Sequence, residues 1–279
     1  MSLNICSLNS GSNGNCYYIG NDEEAVLIDA GINCRETETR MNRLGLSMSN
    51  VKAIFVSHEH TDHITGISVI SKKYKLPVYI TNATLSNSNI RVQKEFIISF
   101  ETNKPISIGK LSVTAFRKSH DACDPHSFMI SSDKVNIGVF TDIGYAGKDL
   151  VRFFKQCHAA FLETNYCEEM LENGSYPRYL KKRISGRRGH LSNKQALELF
   201  IKHKPVHLSH LILSHLSENN NHPEVVSKLF HPHAGNTKII VASRYEETPV
   251  YNILPGIFSS RSKLIRKQDT EKKQLSLFD

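Results

Sequence analysis

The six cysteines, at positions 6, 16, 34, 123, 157 and 167, include no C-x-x-C pair and show no spacing that reads as a disulfide framework. A chain of 279 residues needs no such staples to hold a core. Free thiols in a reducing compartment are therefore expected. The opening stretch, MSLNICSLNSGSNGN, lacks the basic and apolar segments of a secretory signal. No apolar run approaches the roughly 20 residues that a membrane-spanning helix needs. These absences point to a cytoplasmic protein without membrane contact. Internal repeats and low-complexity blocks are missing as well.

What is present suits one large α/β domain or two small ones. Hydrophobic residues make up 39% of the chain, enough for a sizeable core, and a net charge of +8 favours polyanionic partners such as nucleic acid. Short apolar runs predict strands over 3–8, 16–19, 25–28, 52–56, 111–116, 128–130, 135–140, 159–162 and 208–213. Helical patterns occupy 34–44, 64–74, 168–172, 176–183, 193–203 and 223–230. Strands come first as hairpins and again in the second half, with helices between, which predicts two packed sheets with helices outside. The domain is expected over 1–256. Residues 257–279 hold six Lys/Arg and three Asp/Glu with few apolar residues until the end, and read as a flexible basic tail.

The densest chemical signal is FVSHEHTDHITG, residues 55–66. Three histidines and an aspartate fall just after an apolar strand. Alternation along the extended part puts His58, His60 and Asp62 on one side, and a turn into the following helix can swing His63 back toward them. Imidazole and carboxylate together suit zinc, manganese or iron.

This H-x-H-x-D-H pattern resembles the signature of the metallo-β-lactamase superfamily. The resemblance implies a four-layer αββα sandwich with a site for two divalent ions at the sheet edges, its further ligands at the ends of later strands. His120 in FRKSHDACDP, Asp142 in VFTDIGYA and His215 in LILSHLSENN match those places. By that resemblance His58, His60 and His120 serve one ion, Asp62, His63 and His215 the other, and Asp142 bridges them. The remaining histidines, including His126 and His210, are expected to be structural or at the surface.

The stretches SLNSGSNGNCYYI, DAGIN, HDACDP, LETNY, RGHLSN and LSHLSENNN together resemble the YycJ/WalJ branch, from about residue 3 to 245. That branch implies a metal-dependent DNA exonuclease working 5′ to 3′, in replication-linked repair. Asp62 is expected to be catalytic, and resemblance to the related ribonuclease Z and cyclic phosphodiesterase groups implies His190 as the acid that protonates the leaving oxygen and Glu163 as its orienting partner. A structural alternative for His190 is a helix cap, although Ser192 is the better cap. The basic run KKRISGRRGH ends at His190, and Lys182, Arg183, Arg187 and Arg188 are expected to hold backbone phosphates. SLNSGSNGN is either a tight hairpin connection or a source of amides for a phosphate. His126, Ser127 and Tyr166 depart from the residues common in relatives. Other readings are a small-molecule hydrolase of this fold acting on a cyclic phosphodiester, thioester or lactone, an RNA-processing nuclease, or a non-catalytic binding module. The tail segment QLSLF resembles the pentapeptide by which bacterial DNA enzymes bind the sliding clamp. Gln274, Leu275, Leu277 and Phe278 would make that contact, unless the segment packs on its own domain.

Overall fold

The computed structural model describes residues 2–255, so the tail and its residues Gln274, Leu275, Leu277 and Phe278 lie outside the described residues. In the first half, side chains alternate strictly between two cores. Ile5, Tyr17, Ile19, Val26, Ile28 and Phe55 enter one cluster, while Cys6, Cys16, Tyr18, Leu27 and Ile54 enter another. A period of two with both faces apolar makes strands buried on both sides. Six strands follow in order, the last at the partly exposed sheet edge: β1 (Leu3–Asn9), β2 (Cys16–Gly20), β3 (Ala25–Ile28), β4 (Val51–Phe55), β5 (Val78–Tyr79) and β6 (Ile97–Ile98).

The second half repeats the arrangement with β7 (Pro105–Ile108), β8 (Leu111–Arg117), β9 (His126–Ser132), β10 (Val135–Phe140), β11 (Ala159–Glu163), β12 (His210–Ser214) and β13 (Lys238–Val241). A last strand, β14 (Tyr251–Ile253), crosses back to pair antiparallel with β1, Leu3 opposite Ile253. The described residues thus form two seven-stranded sheets, ordered β14-β1-β2-β3-β4-β5-β6 and β13-β12-β11-β10-β9-β8-β7. The inner faces meet in a shared core where Tyr17 and Phe161 pack with ring centroids 4.9 Å apart.

Helices cover both outer faces. α1 (Cys34–Arg43), α3 (Ile67–Tyr74) and α4 (Asn82–Ser86) lie on the first sheet. α5 (Lys148–Phe154), α8 (Asn193–His203) and α9 (Pro223–Phe230) lie on the second. The short α2 (Thr61–Ile64), with α6 (Glu168–Asn173) and α7 (Arg178–Ser185), completes the set. The expected four-layer sandwich is the fold observed.

Most boundaries fall within two residues of expectation, and two of the differences have a clear cause. The helix expected over 64–74 starts at Thr61 as α2 and restarts at Ile67. Gly66 marks the break: its N–H bonds to Ala30 O, and a Cβ there would lie 2.1 Å from Ile32 O. The helix expected from 176 starts at Arg178, because Pro177 holds extended backbone at the N-cap. Strands β5, β6, β7, β13 and β14 were not expected, being two to four residues long and too short to establish a period.

Each sheet runs parallel over β3 to β6 and over β10 to β13. Loops that follow parallel strands open at one edge, where side chains from distant segments can meet. Phe161→Ala removes the fully buried ring that joins the two inner faces. It is expected to cost about 3–5 kcal/mol of stability, checked by denaturant unfolding.

Candidate metal centre and active site

Five strand ends feed one cluster. The loop after β4 carries His58, His60, Asp62 and His63, and His120 follows β8. Asp142 follows β10, Glu163 ends β11 and His215 follows β12. Asp142 and His215 have φ of 54° and 59°, and Asp29, just past β3, has φ of 58°. Left-handed backbone is unfavourable for such residues and persists only where neighbours fix it. Here each turn redirects a polar side chain from a strand end into the site.

Among the described residues, His58, His60 and His120 converge closely enough to hold an ion, as do Asp62, His63 and His215. Asp142 joins both His63 and His215 in further such groups. His60 Nδ1 lies 3.0 Å from His58 Nε2 and 3.4 Å from His120 Nε2. Asp62 Oδ2 lies 3.4 Å from His63 Nε2 and 3.6 Å from His215 Nε2. Asp142 Oδ2 is 3.2 Å from His63 Nε2. Yet both Asp142 Oδ2 and His215 Nε2 are buried and make no hydrogen bond. Buried polar atoms are normally satisfied, and a cation shared among these donors would satisfy both.

The ring tautomers fit that reading. His58 Nδ1 meets Ser57 Oγ at 2.8 Å, and Ser57 Oγ–H in turn donates to Asp29 Oδ2. His63 Nδ1 meets Asp29 Oδ2 at 2.7 Å, His120 Nδ1 meets Gly189 O at 3.0 Å, and His215 Nδ1 meets Glu163 Oε1 at 2.9 Å. Four histidines thus donate through Nδ1 and turn Nε2 inward, the arrangement that supporting partners impose on ligating imidazoles. His60 is the exception and presents Nδ1.

Charge divides the two groups. Burial, with the neighbouring His63, holds His58 well below the ordinary histidine range. Burial also takes His120 down to about 4. Both rings are therefore neutral and ready to donate a lone pair. Burial acts the same way on His63 and His215, but carboxylates outweigh it. Asp142, Asp62 and Asp29 raise His63, and Asp142, Asp62 and Glu163 raise His215 to about 10.

His190 stands at the rim, its side chain 21% exposed, with Nδ1 2.8 Å from Glu163 Oε1. A cavity of about 250 Å³ brings it together with His60, Asp62, His120, Asp142 and His215. Of the basic run, only Arg183 lines this cavity, and it pairs with Asp121. Arg188 donates to His120 O and Ala122 O, bracing the loop behind His120. Arg187 lies over the Tyr145 ring at 4.5 Å, and Lys182 is exposed away from the cavity. The members of the run are spread apart, because Lys182 and Arg183 lie on α7 while Arg187 and Arg188 lie on the turn after it.

The amides of the SGSNGN loop are largely committed. Those of residues 10, 11, 14 and 15 bond to Ser243 O, Asn15 Oδ1, Gly11 O and Asp62 O. The hairpin alternative describes this loop. Its Asn15 side chain reaches Asp62 Oδ2 at 3.1 Å and His63 Nε2 at 3.2 Å. His126 is buried between Asp124 O and Thr102 Oγ1, and His210 sits at the start of β12 against Tyr251.

Four supporting residues escaped the sequence reading. Asp29, Ser57, Asn15 and the buried Lys118, whose Nζ lies 3.9 Å from Asp142 Oδ2, all touch the cluster. Asp29 had a usable signal, an aspartate just past an apolar strand, as Asp142 has. The other three had none.

Comparison with known proteins bears directly on this geometry. The beta-lactamase superfamily domain matches residues 24–216. The chain belongs to the metallo-β-lactamase superfamily. Within it, the chain is 35% identical over 230 residues to exodeoxyribonuclease YycJ of Bacillus anthracis, covering 81% of this chain and 86% of that one. It is 30% identical over 223 residues to exodeoxyribonuclease WalJ of Streptococcus pneumoniae, covering 78% and 83%. The metallo-β-lactamase fold protein YhfI of Bacillus subtilis superposes with a TM-score of 0.68 at 15% identity, covering 90% of this chain and all of that one. This superfamily member is thus of the YycJ/WalJ type and a metal-dependent hydrolase, with a His/Asp cluster suited to divalent ions. Among the described residues no helix is long and apolar enough to cross a membrane.

Because His63 and His215 are raised, both hold protons at pH 7 in the metal-free protein, and a cation must displace them. Loading Zn²⁺ or Mn²⁺ is expected to release protons, and affinity is expected to fall as pH falls. Calorimetry in buffers of different ionisation enthalpy checks both, and a pH-independent affinity with no proton release would contradict the charge assignment.

Proposed function

We propose that this protein is a metal-dependent exodeoxyribonuclease that removes nucleotides from the 5′ end of DNA in replication-linked repair. The observation that carries the reading is His190, which lines the same cavity as the His/Asp cluster and is backed by the buried Glu163. A simple ligand cluster needs no such pair, whereas cleaving a phosphodiester requires an acid for the leaving alkoxide. The names of the YycJ and WalJ relatives support DNA as substrate, and the net charge of +8 agrees with a polyanion.

The geometry supports the following residue roles. His58, His60 and His120 would hold one divalent ion, and Asp62, His63 and His215 a second, with Asp142 available to both. The donors suit zinc, manganese or iron. When bound, such ions supply Lewis acidity toward phosphoryl oxygens and a nucleophile at neutral pH. Glu163 accepts from His190 Nδ1–H, fixes the ring and stabilises its cationic form. His190 then delivers a proton from Nε2 to the leaving oxygen. Arg183 offers a guanidinium to a flanking phosphate, in exchange for Asp121.

The first test is degradation of 5′- and 3′-labelled single- and double-stranded DNA, with matched RNA, in added manganese or zinc. Stepwise loss from the 5′ end of DNA is expected, abolished by a chelator and by Asp62→Ala. His190→Ala is expected to slow it by about 10²- to 10⁴-fold. Loss from the 3′ end, or of RNA alone, would refute the assignment. Residues 274–278 are proposed to tether the enzyme to the sliding clamp, which would raise its local concentration on DNA. A peptide of residues 260–279 is expected to bind purified clamp in the micromolar range, and absence of binding at high micromolar concentration would remove this part.

A further inference from the structure

Helix α7 is anomalous for its composition. It has no buried residue, yet it carries Leu180 and Ile184 one turn apart, with Tyr176 one turn before them. Residues at this spacing share one face of a helix or its entry. Such a stripe normally marks the side that packs on a core, but none of the three belongs to any of the core clusters. Instead all three line the cavity that holds the His/Asp cluster, and Leu216 from the loop after β12 joins them. The Tyr176 hydroxyl accepts a hydrogen bond from Asn219 Nδ2 at 2.9 Å, which fixes the ring's outer end. Arg183, on the same helix, lines the cavity beside the stripe.

A phosphodiester backbone offers nothing for an apolar wall to recognise, because its charge is met by the cations and by Arg183. A nucleobase does, since its faces are apolar and stack on aromatic and aliphatic side chains without sequence preference. The cavity measures about 250 Å³. That is near the lower end of the roughly 300–1,000 Å³ over which clefts take small ligands, a scale that suits one nucleotide. We infer that the face of α7 formed by Tyr176, Leu180 and Ile184, with Leu216, is a binding site for the base of the nucleotide whose phosphate is cleaved. The enzyme therefore takes a strand end unpaired, one nucleotide at a time. This inference rests on the nuclease reading above and specifies how its site engages the substrate.

The test compares two single strands, identical except that one has an abasic site in place of its terminal nucleotide, cleaved by the whole chain with manganese. Wild type is expected to prefer the normal strand in kcat/KM by roughly ten- to hundredfold, the range that stacking of one base supplies. Leu180→Ala and Tyr176→Ala should each shrink that ratio several-fold. Tyr179→Ala, on the same helix but 75% exposed and outside the cavity, should leave it unchanged. Because α7 buries no side chain, these variants are expected to fold, and an unaltered unfolding midpoint verifies it. A wild type that cleaves both strands without preference, or variants that keep the full preference, would overturn the inference and leave the nuclease reading intact. A wild type that cleaves neither strand would overturn both.

Discussion

One buried carboxylate connects most of the catalytic edge. Glu163 is fully enclosed and receives four donors: His190 Nδ1–H and His215 Nδ1–H on Oε1, and the amides of Ile143 and Leu191 on Oε2. Burial alone would drive such a group toward its neutral form. The facing His190 and His215 more than offset this and hold it down at about 2. A charge in that position is stable only while every donor stays in place. The end of β11 is therefore tied to the loop after β10, to the loop after α7 and to the end of β12. The rim histidine and a cluster histidine share one anchor.

Asp29 plays the equivalent part on the other sheet. Its two oxygens take the amide and hydroxyl of Ser57 and the Nδ1–H of His63, so the loop after β4 is fastened to the end of β3. Close packing reinforces the same joint. A Cβ on Gly31 would fall 1.8 Å from Asp62 O, so the DAGIN turn and the H-x-H-x-D-H loop touch backbone to backbone. Each half of the sandwich thus brings one enclosed carboxylate behind its inward-facing imidazoles. The left-handed backbone of Asp29, Asp142 and His215 is sustained by these fixed contacts. Rigid sheet ends are suited to this work, because ligand positions must hold to within fractions of an ångström.

The sequence made the sandwich and the cluster legible for a physical reason. Strands buried on both faces, such as Ala25–Ile28 and Ala159–Glu163, leave unbroken apolar runs, and the polar residues that end those runs stand out. His58, Asp142 and His215 are visible because each interrupts an apolar context. Paired strands of two residues, such as β5 and β6, carry no period and are set by neighbours far along the chain. Asn15 and Lys118 were invisible for a related reason, since only the tertiary fold brings them to Asp62 and Asp142. The basic run shows the opposite effect. Adjacent charges look like one surface in a line of letters, but the helix and its C-terminal turn send Arg183, Arg187 and Arg188 to a cavity, a tyrosine ring and a backbone brace.

The separation between frame and helix α7 has a functional logic. Everything that fixes the ligands comes from the sheet ends and the loops welded to them, and is buried. The apolar, half-exposed side chains of the cavity, Tyr176, Leu180 and Ile184, come from α7 and its entry, and the buried Leu216 joins them from a neighbouring loop. Side chains of α7 can change without disturbing the buried network, because none of them is enclosed by it. The ligand cluster and the apolar wall thus draw on different side chains, while the α7 backbone joins the frame where His190 N–H donates to Ile184 O. A fold arranged this way can keep one reaction centre while the helix above it selects among phosphodiesters.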